Sequence, residues 1–546
     1  MPNDSMTAAL ETRHSLAIRS DAAEIKISVS ETTSVREALD LTELRVRAAC
    51  GGLGSCGACL IKVLSGQFNP ATLAERQKLL PEDLANGVRL ACQLQARGSG
   101  VLYLENPAPA SRWKSLSQIS RPPAWVEIAG EMRYPYGLAV DLGTTHIRLS
   151  LWNRQTGRLI GARMGINPQV AFGADVLTRL DANRLRMQDQ QRLCREARLA
   201  IIDGVRDILS RDMGEITPIL ADIGQVWIVG NSVMLALVCG SNGNALYELE
   251  NWRKNLVFQP DDANDWRREW RMPHAEIGIS QPLAGFVGSD LLADLLSTDM
   301  IRRPGPCMLA DLGTNTEIAV WDGQTVWVSS VPGGPAFEGV GMRNGLAAEA
   351  GAIYKVSKSG QQWQLETITN SAVRGFCASG FIDAVTLLLQ EKLLKPSGRF
   401  VQPQPETGFC FVSNCRHSAI FASDIDIFQR AKAASAAAMA QLLNMAGLAP
   451  ADLATLWICG SLGQHLDPHH AMRVGLLPEI AEDRIKRFSD ASLAGCQELL
   501  LSPDAMDRCE QIRRRATVIN LGDMREYEAL FIENLRLQPL AMQVAE

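Results

Sequence analysis

Two short stretches near the N-terminus alternate apolar and polar residues, S-L-A-I-R-S and E-I-K-I-S-V, both within residues 15–29. Period-two alternation on either side of a polar break predicts a β-hairpin. Ser34 followed by Glu37 has the spacing of a capping box and opens a short helix over V-R-E-A-L-D-L. A strand at L-I-K-V-L, a helical region to about residue 90, and the runs R-L-A-C-Q-L-Q-A and V-L-Y-L complete a first unit, residues 1–105. Residues 106–135 are rich in proline and serine (N-P-A-P-A-S, S-R-P-P-A, Y-P), which predicts a linker that is semi-extended rather than packed.

Beyond the linker the pattern repeats. G-L-A-V-D-L-G-T-T-H-I-R-L-S-L-W begins at Gly137 and C-M-L-A-D-L-G-T-N-T-E-I-A-V-W at Cys307, about 170 residues later. Each copy reads as a strand, a D-L-G-T turn, a second strand, a glycine turn (Gly157, Gly323) and a third strand. A duplicated unit of this size predicts two similar lobes of sheet and helix facing a cleft, over residues 136–303 and 304–546.

Composition narrows the classes. The 546 residues are 46% hydrophobic and 21% charged with a net charge of −6, ordinary for a multidomain globular protein and unfavourable to nucleic acid or an anionic membrane surface. The N-terminus lacks a basic and then apolar leader, and the alanine-rich stretch 431–449 is interrupted by Lys432, Gln441 and Asn444. Thirteen cysteines, an odd number spread along a long chain, argue against a secreted disulfide framework. A cytoplasmic protein with no membrane and no nucleic-acid partner is expected.

Four of those cysteines carry chemistry. Cys50, Cys56, Cys59 and Cys92 read C-x5-C-x2-C, a long gap, then C, and the first three sit in A-C-G-G-L-G-S-C-G-A-C. That spacing suits a [2Fe–2S] cluster wrapped by one loop and closed by a distant fourth thiolate. Glycines supply the unusual dihedrals and the backbone N–H groups such a loop needs. A structural zinc site or buried free thiols are the alternatives; zinc more often takes two short C-x2–4-C arms. Hairpin, helix, cysteine loop, strand and late cysteine together resemble the β-grasp ferredoxin fold.

A tight turn with Asp, Gly and Thr between strands suits a nucleotide phosphate. The two D-L-G-T turns and a third glycine turn, W-I-C-G-S-L-G at 457–463, resemble the phosphate and adenosine motifs of the actin, sugar-kinase and heat-shock-chaperone ATPases. That resemblance implies Asp141, Gly143, Thr144 and Thr145 in a first phosphate loop and Asp311, Gly313, Thr314 and Asn315 in a second. Gly460, Ser461 and Gly463 would approach the adenosine, Ser461 replacing a second glycine, and Mg2+ would accompany ATP. Glu317 is the candidate base for hydrolysis, against the ordinary reading of a surface carboxylate after a turn. Cys410, Cys415 and His417 read as buried thiols in a β-rich segment rather than ligands, and His469 and His470 as an exposed loop.

Further stretches narrow the resemblance. V-G-N-S-V-M (229–234), G-F-V-G-S-D (285–290), D-L-G-T-N-T-E (311–317) and P-G-G-P-A-F-E-G (332–339), with Gly333 and Gly334 in the last, are followed by G-A-I and S-G-F-I-D-A-V. With the cysteine unit, these look like the reductive activators of corrinoid proteins. The resemblance implies ATP-dependent one-electron reduction of a corrinoid protein from Co(II) to Co(I) in a methyl-transfer system. It also implies a reductase or a reduced ferredoxin or flavodoxin as electron donor, and a homodimer. Such reduction is uphill; at ~59 mV per factor of ten, a gap of ~200 mV costs on the order of 4–5 kcal/mol. The alternatives are an ATP-driven donor to another low-potential enzyme and a non-enzymatic redox-sensing module.

Overall fold

A computed structural model describes residues 12–543, except 22, 43, 48–49, 51, 53, 55–56, 106, 108–110, 117–130, 174, 210–215, 242, 334, 340, 405–407 and 414. In the N-terminal unit, β1 (Arg13–Arg19) and β2 (Glu24–Ser30) form the hairpin the alternation implied, paired from Arg13 with Ser30 to Arg19 with Glu24. Helix α1 (Val35–Asp40) starts at Ser34, whose hydroxyl accepts from the Glu37 N–H while the Glu37 carboxylate accepts from the Ser34 N–H. Then come β3 (Leu60–Phe68), α2 (Leu73–Lys78), α3 (Pro81–Ala85), β4 (Val88–Leu90) and β5 (Ala96–Tyr103). The sheet order is β2-β1-β5-β3-β4, with β1 and β5 parallel, and Leu16, Ile18, Leu39, Ile61 and Leu102 fill the space between sheet and helix. This is the β-grasp arrangement.

The stretch expected to be an unpacked linker is partly built into the next sheet. Trp113 is buried, and β6 (Lys114–Ser115) pairs antiparallel with β9. The indole fits because Gly165 and Gly204 carry no side chains; a Cβ at Gly165 would lie 2.6 Å from the ring. Its Nε1–H donates to Asp203 at 2.8 Å. One large aromatic outweighs the surrounding proline and serine, since burying it removes ~150–250 Å² of surface from water.

The first lobe contains β7 (Tyr136–Leu142), β8 (His146–Asn153), β9 (Arg158–Ile166), α4 (Val176–Leu185), α5 (Met187–Leu209), α6 (Thr217–Ala221) and β10 (Ile223–Gly230). It continues with α7 (Ser232–Cys239), α8 (Ala263–Trp270), β11 (Glu276–Ile279) and α9 (Ser289–Thr298). The second lobe begins with β12 (Cys307–Leu312), β13 (Thr316–Trp321), β14 (Val326–Val331), β15 (Ala352–Ser359), β16 (Gln362–Thr367), β17 (Gly375–Phe376) and α10 (Ala378–Gln390). After β18 (Phe409–Cys410) and β19 (Ala419–Ile420) come α11 (Ala422–Met445), β20 (Thr455–Cys459), α12 (Pro468–Arg473) and β21 (Ile485–Phe488). The chain closes with α13 (Ala491–Leu501), α14 (Ala505–Arg515), β22 (Ala516–Val518) and α15 (Arg525–Glu533).

The main sheets run β11-β10-β7-β8-β9-β6 and β21-β20-β12-β13-β14-β22. In each, an antiparallel meander is extended by two parallel strands on one side. Gly157 and Gly323 hold positive φ (64° and 104°) at the second turn of each meander, where a side chain would be strained. The lobes share a core: α9 and α13 lie against each other between the sheets, and Cys496 of α13 donates to the carbonyls of Val140 and Trp227. No helix among the described residues is long and apolar enough to cross a membrane.

Candidate functional site

The two D-L-G-T turns face each other. Asp141, next to last in β7, lies opposite Arg148 of β8, and Asp311, next to last in β12, opposite Glu317 of β13, so the duplication places one carboxylate from each lobe at the same point. A Cβ at Gly143 would lie 2.6 Å from the His146 carbonyl, which restricts the first turn to glycine. The carbonyls of Gly143, Thr144 and Thr145 accept from Asn167 Nδ2 (2.9 Å), Arg179 Nη1 (2.7 Å) and the Asn167 N–H (2.8 Å). That support fixes the turn from behind. In front, Asn231 at the N-cap of α7 donates to the Thr144 hydroxyl at 2.9 Å, and the hydroxyls of Thr145 and Thr314 lie 3.1 Å apart.

One cavity is lined by Asp141, Gly143, Thr144, Thr145, Asp311, Gly313, Thr314, Asn315, Glu317 and Gly460. Gly460, at φ 79°, packs so closely on Asp311 that a side chain would strike the carboxylate. Gly463 instead lies behind, against the Ile458 carbonyl, and Gly333 against the Thr316 hydroxyl. Ser461 opens the 3-10 turn after Gly460, with its side chain outside the described residues, as are Gly334 and Cys56. Sequence reading missed His146, Arg148, Asn231, Asp290 and Ser492, which also line the cavity. Asn231 and Asp290 stand in V-G-N-S-V-M and G-F-V-G-S-D, so a signal was present.

The cavity is strongly acidic. Burial, and then the charges of Asp141 and Asp311, push Asp290 up to about 7. Burial pushes Asp311 up to about 6 against the pull of Arg148. Buried Asp294 behind them and Glu317 are raised well above the usual carboxylate range by burial and neighbouring acids. Arg148 reaches Asp141 at 3.1 Å, Ser492 the same oxygen at 3.0 Å, and Ser330 donates to Glu317 at 3.1 Å. Carboxylates held together at this cost fit a divalent cation, which would lower their mutual repulsion. Burial, with Arg148 and Lys114, depresses His146 to about 4, leaving a neutral imidazole in the cavity at neutral pH.

The cysteine site lies at the other end of the chain. Cys50, Cys59 and Cys92 are all buried, Cys59 just before β3 and Cys92 just after β4. The Ala91 N–H donates to the Cys59 carbonyl at 2.8 Å, which brings the two segments together. A hydrogen bond from Cys59 is the chief reason the Cys92 thiol lies below its usual range; burial opposes it, and Gln93 and Arg36 lower it further. Gly52, Gly54 and Gly57 all take positive φ (93°, 79° and 73°), as a loop folding around a bound group requires. Three gathered thiols in such a loop fit an iron–sulfur cluster.

Two other expectations change. Cys410 is exposed and Cys415 half-buried, so neither is a core thiol. His470 lies on α12, not in an exposed loop, and its Nδ1 is 2.6 Å from Asp383, a buried carboxylate of α10 that also accepts from the Val356 N–H.

Comparison with known proteins finds relatives along most of the chain. Residues 305–546 match the model described as the C-terminal domain of RACo, the ASKHA domain. Residues 136–303 match the RACo middle region, and residues 18–97 the 2Fe-2S iron-sulfur cluster binding domain. The chain is 28% identical over 423 residues to the corrinoid activation enzyme RamQ of Eubacterium limosum, covering 73% of this chain and 70% of that one. It is 25% identical over 425 residues to the [Co(II) methylated amine-specific corrinoid protein] reductase of Methanosarcina barkeri, covering 71% and 74%. A solved structure of a reductive activator for corrinoid,iron-sulfur protein superposes with a TM-score of 0.65 at 21% identity, over 97% of this chain and 99% of that one.

Proposed function

This chain belongs to the family of reductive activators of corrinoid proteins, and from that premise we propose that it uses ATP to drive a corrinoid protein from Co(II) to Co(I). The observation that carries the reading is the pairing, in one chain, of a buried thiol set with two phosphate turns whose threonines meet at 3.1 Å. The proposed units are residues 1–105 and lobes at 136–303 and 304–546, joined by 106–135, of which Trp113–Ser115 pack on the first lobe. A [2Fe–2S] cluster held by Cys50, Cys56, Cys59 and Cys92 supplies one-electron transfer. The electron donor would be a reductase or a reduced ferredoxin or flavodoxin, and the acceptor Co(II), which would gain one electron to become Co(I).

The residues of the cleft do the rest. Thr144, Thr145, Thr314 and Asn315 bind phosphate oxygens, with the glycines of both turns allowing close approach of backbone. Asp141 and Asp311 hold Mg2+, directly or through water, and Gly460, Ser461 and Gly463 lie toward the adenosine. Glu317, raised well above the usual carboxylate range by burial and then by Asp290 and Asp311, would become a better base with a cation beside it. Because the nucleotide bridges two lobes, its binding favours one arrangement of them, and a partner that recognises that arrangement receives the electron. A homodimer and a cytoplasmic setting complete the reading. Mixing the protein, a reductant and a Co(II) corrinoid protein should give the Co(I) absorption band only with MgATP; a band that ignores ATP, or none at all, overturns the proposal.

A further inference from the structure

We propose that Arg36 is a positioning residue through which the first lobe sets the reduction potential at the cysteine site, so that nucleotide in the cleft is felt there. The inference rests on the cluster reading above.

Arg36 is fixed from both sides. At the first turn of α1, the Val35 N–H donates to the Leu94 carbonyl and the Arg36 N–H to the Ala91 carbonyl, each at 2.9 Å, which ties the residue to the segment bearing Cys92. Its side chain is 4% exposed, and Nη1 lies where a Cβ on Gly52 would come within 2.9 Å, so the guanidinium packs on the cysteine loop itself. Burial works against its charge, but Asp40 and then Cys59, Cys92 and Cys50 stabilise it. On the other side, Nη2 donates to the Ile208 carbonyl, in the last turn of α5, at 3.2 Å.

Around that contact the two units interlock through charge. Asp40 pairs with Arg163 of β9 at 3.0 Å, and Arg163 pairs with Asp207 of α5 at 2.5 Å. Arg45 pairs with Asp207 at 3.5 Å and donates to the Trp113 carbonyl at 3.1 Å. Among these side chains three arginines face two aspartates, and Arg36 is the arginine turned toward the thiols. A buried positive charge there favours the reduced, more negative state of whatever the thiols hold.

The far end of α5 reaches the phosphate turn. Asn167 Nδ2 donates to the Gly143 carbonyl (2.9 Å) and to Gln169 Oε1 (3.2 Å), and Gln169 Nε2 donates to the Leu193 carbonyl of α5 (2.9 Å). Asn167 and Gln169 are fully buried. The stretch of α5 from Leu193 to Ile208, about 22 Å at 1.5 Å per residue, therefore lies between the Asn167–Gln169 pair behind the turn and the guanidinium that faces the thiols. A shift of that helix when the turn closes on nucleotide moves Arg36 relative to the sulfurs.

The test is an EPR-monitored redox titration of the full chain, with and without MgATP. Wild type should shift its midpoint when MgATP is added. Arg36→Gln should lower the resting reduction equilibrium about tenfold, or ~59 mV for one electron, and abolish the nucleotide shift. Arg36→Lys keeps the charge but not the fork, so it should lie nearer the wild-type midpoint yet respond weakly to MgATP. Gln169→Leu, remote from the sulfurs, should keep the resting midpoint and lose the shift, which covers the case in which the Arg36 variants fail to assemble the site. A wild-type midpoint indifferent to MgATP, or a full shift surviving in Arg36→Gln or Gln169→Leu, overturns the inference. Such a result in protein that still reduces Co(II) with ATP leaves the proposed function standing; wild type with no [2Fe–2S] signal overturns both.

Discussion

The hydroxyl of Thr145 in the first lobe lies 3.1 Å from that of Thr314 in the second, one of the points at which the duplicated halves touch across the cleft. Each hydroxyl belongs to one of the two turns that are proposed to bind phosphate.

Replacing Thr314 by valine removes one hydroxyl and keeps the shape. A lost hydrogen bond to a charged phosphate oxygen is worth ~1.5–3 kcal/mol, so ATP affinity should fall at least tenfold by calorimetry. The melting temperature without nucleotide should change little, since the turn keeps the bond from the Gly313 N–H to the Asn315 carbonyl at 3.1 Å.

The acidic cavity gives a pH signature. Protons and Mg2+ compete for Asp290 and Asp311, whose values lie at about 7 and about 6. MgATP affinity should therefore rise as pH is raised through that window. Asp290→Asn removes the group that titrates at about 7 and leaves Asp311 at about 6, so the affinity-against-pH curve should move to lower pH; an unmoved curve would mean the two carboxylates do not share a cation.

Glu317→Gln separates binding from turnover. ATP affinity should persist while hydrolysis falls about 10²-fold or more, as expected on removal of a base. Equal loss of both would assign Glu317 to the cation instead.

Lys432 on α11 is fully buried, donates to the Arg536 carbonyl at 2.7 Å, and is lowered by burial to about 7. In the unfolded chain it titrates near 10.5, so between those values the unfolded state holds more protons and raising pH favours folding. Urea midpoints should accordingly rise from pH 7 to pH 9 by this group's share. Lys432→Met should flatten the rise, and an identical pH dependence in the variant would refute the assignment.

Much of this was legible because it is local. The hairpin, the capping box at Ser34 and both D-L-G-T turns depend on neighbours a few residues apart. The duplicated pattern put Asp141 and Asp311 at matching places because each is the penultimate residue of the first strand of its meander. What escaped was long-range. Asp290 and Asp294 acquire their chemistry only when α9 is brought beside two strand ends from different lobes, and Ser492 reaches Asp141 across 351 positions. Trp113 was submerged in proline- and serine-rich composition, and the pairing of His470 with Asp383 spans 87 positions.

The strand that follows Trp113 has one further consequence. By pairing Lys114 with Met164 and Ser115 with Arg163 it covers part of the outer edge of the first-lobe sheet, where bare N–H and carbonyl groups would otherwise invite another molecule to add a strand. A shortened protein that starts before Ser111 should stay dispersed, whereas one that starts at Tyr136 should lose ~3–5 kcal/mol with the indole and clump through its uncovered margin. The connecting segment thus doubles as the selvedge of the ATPase cloth.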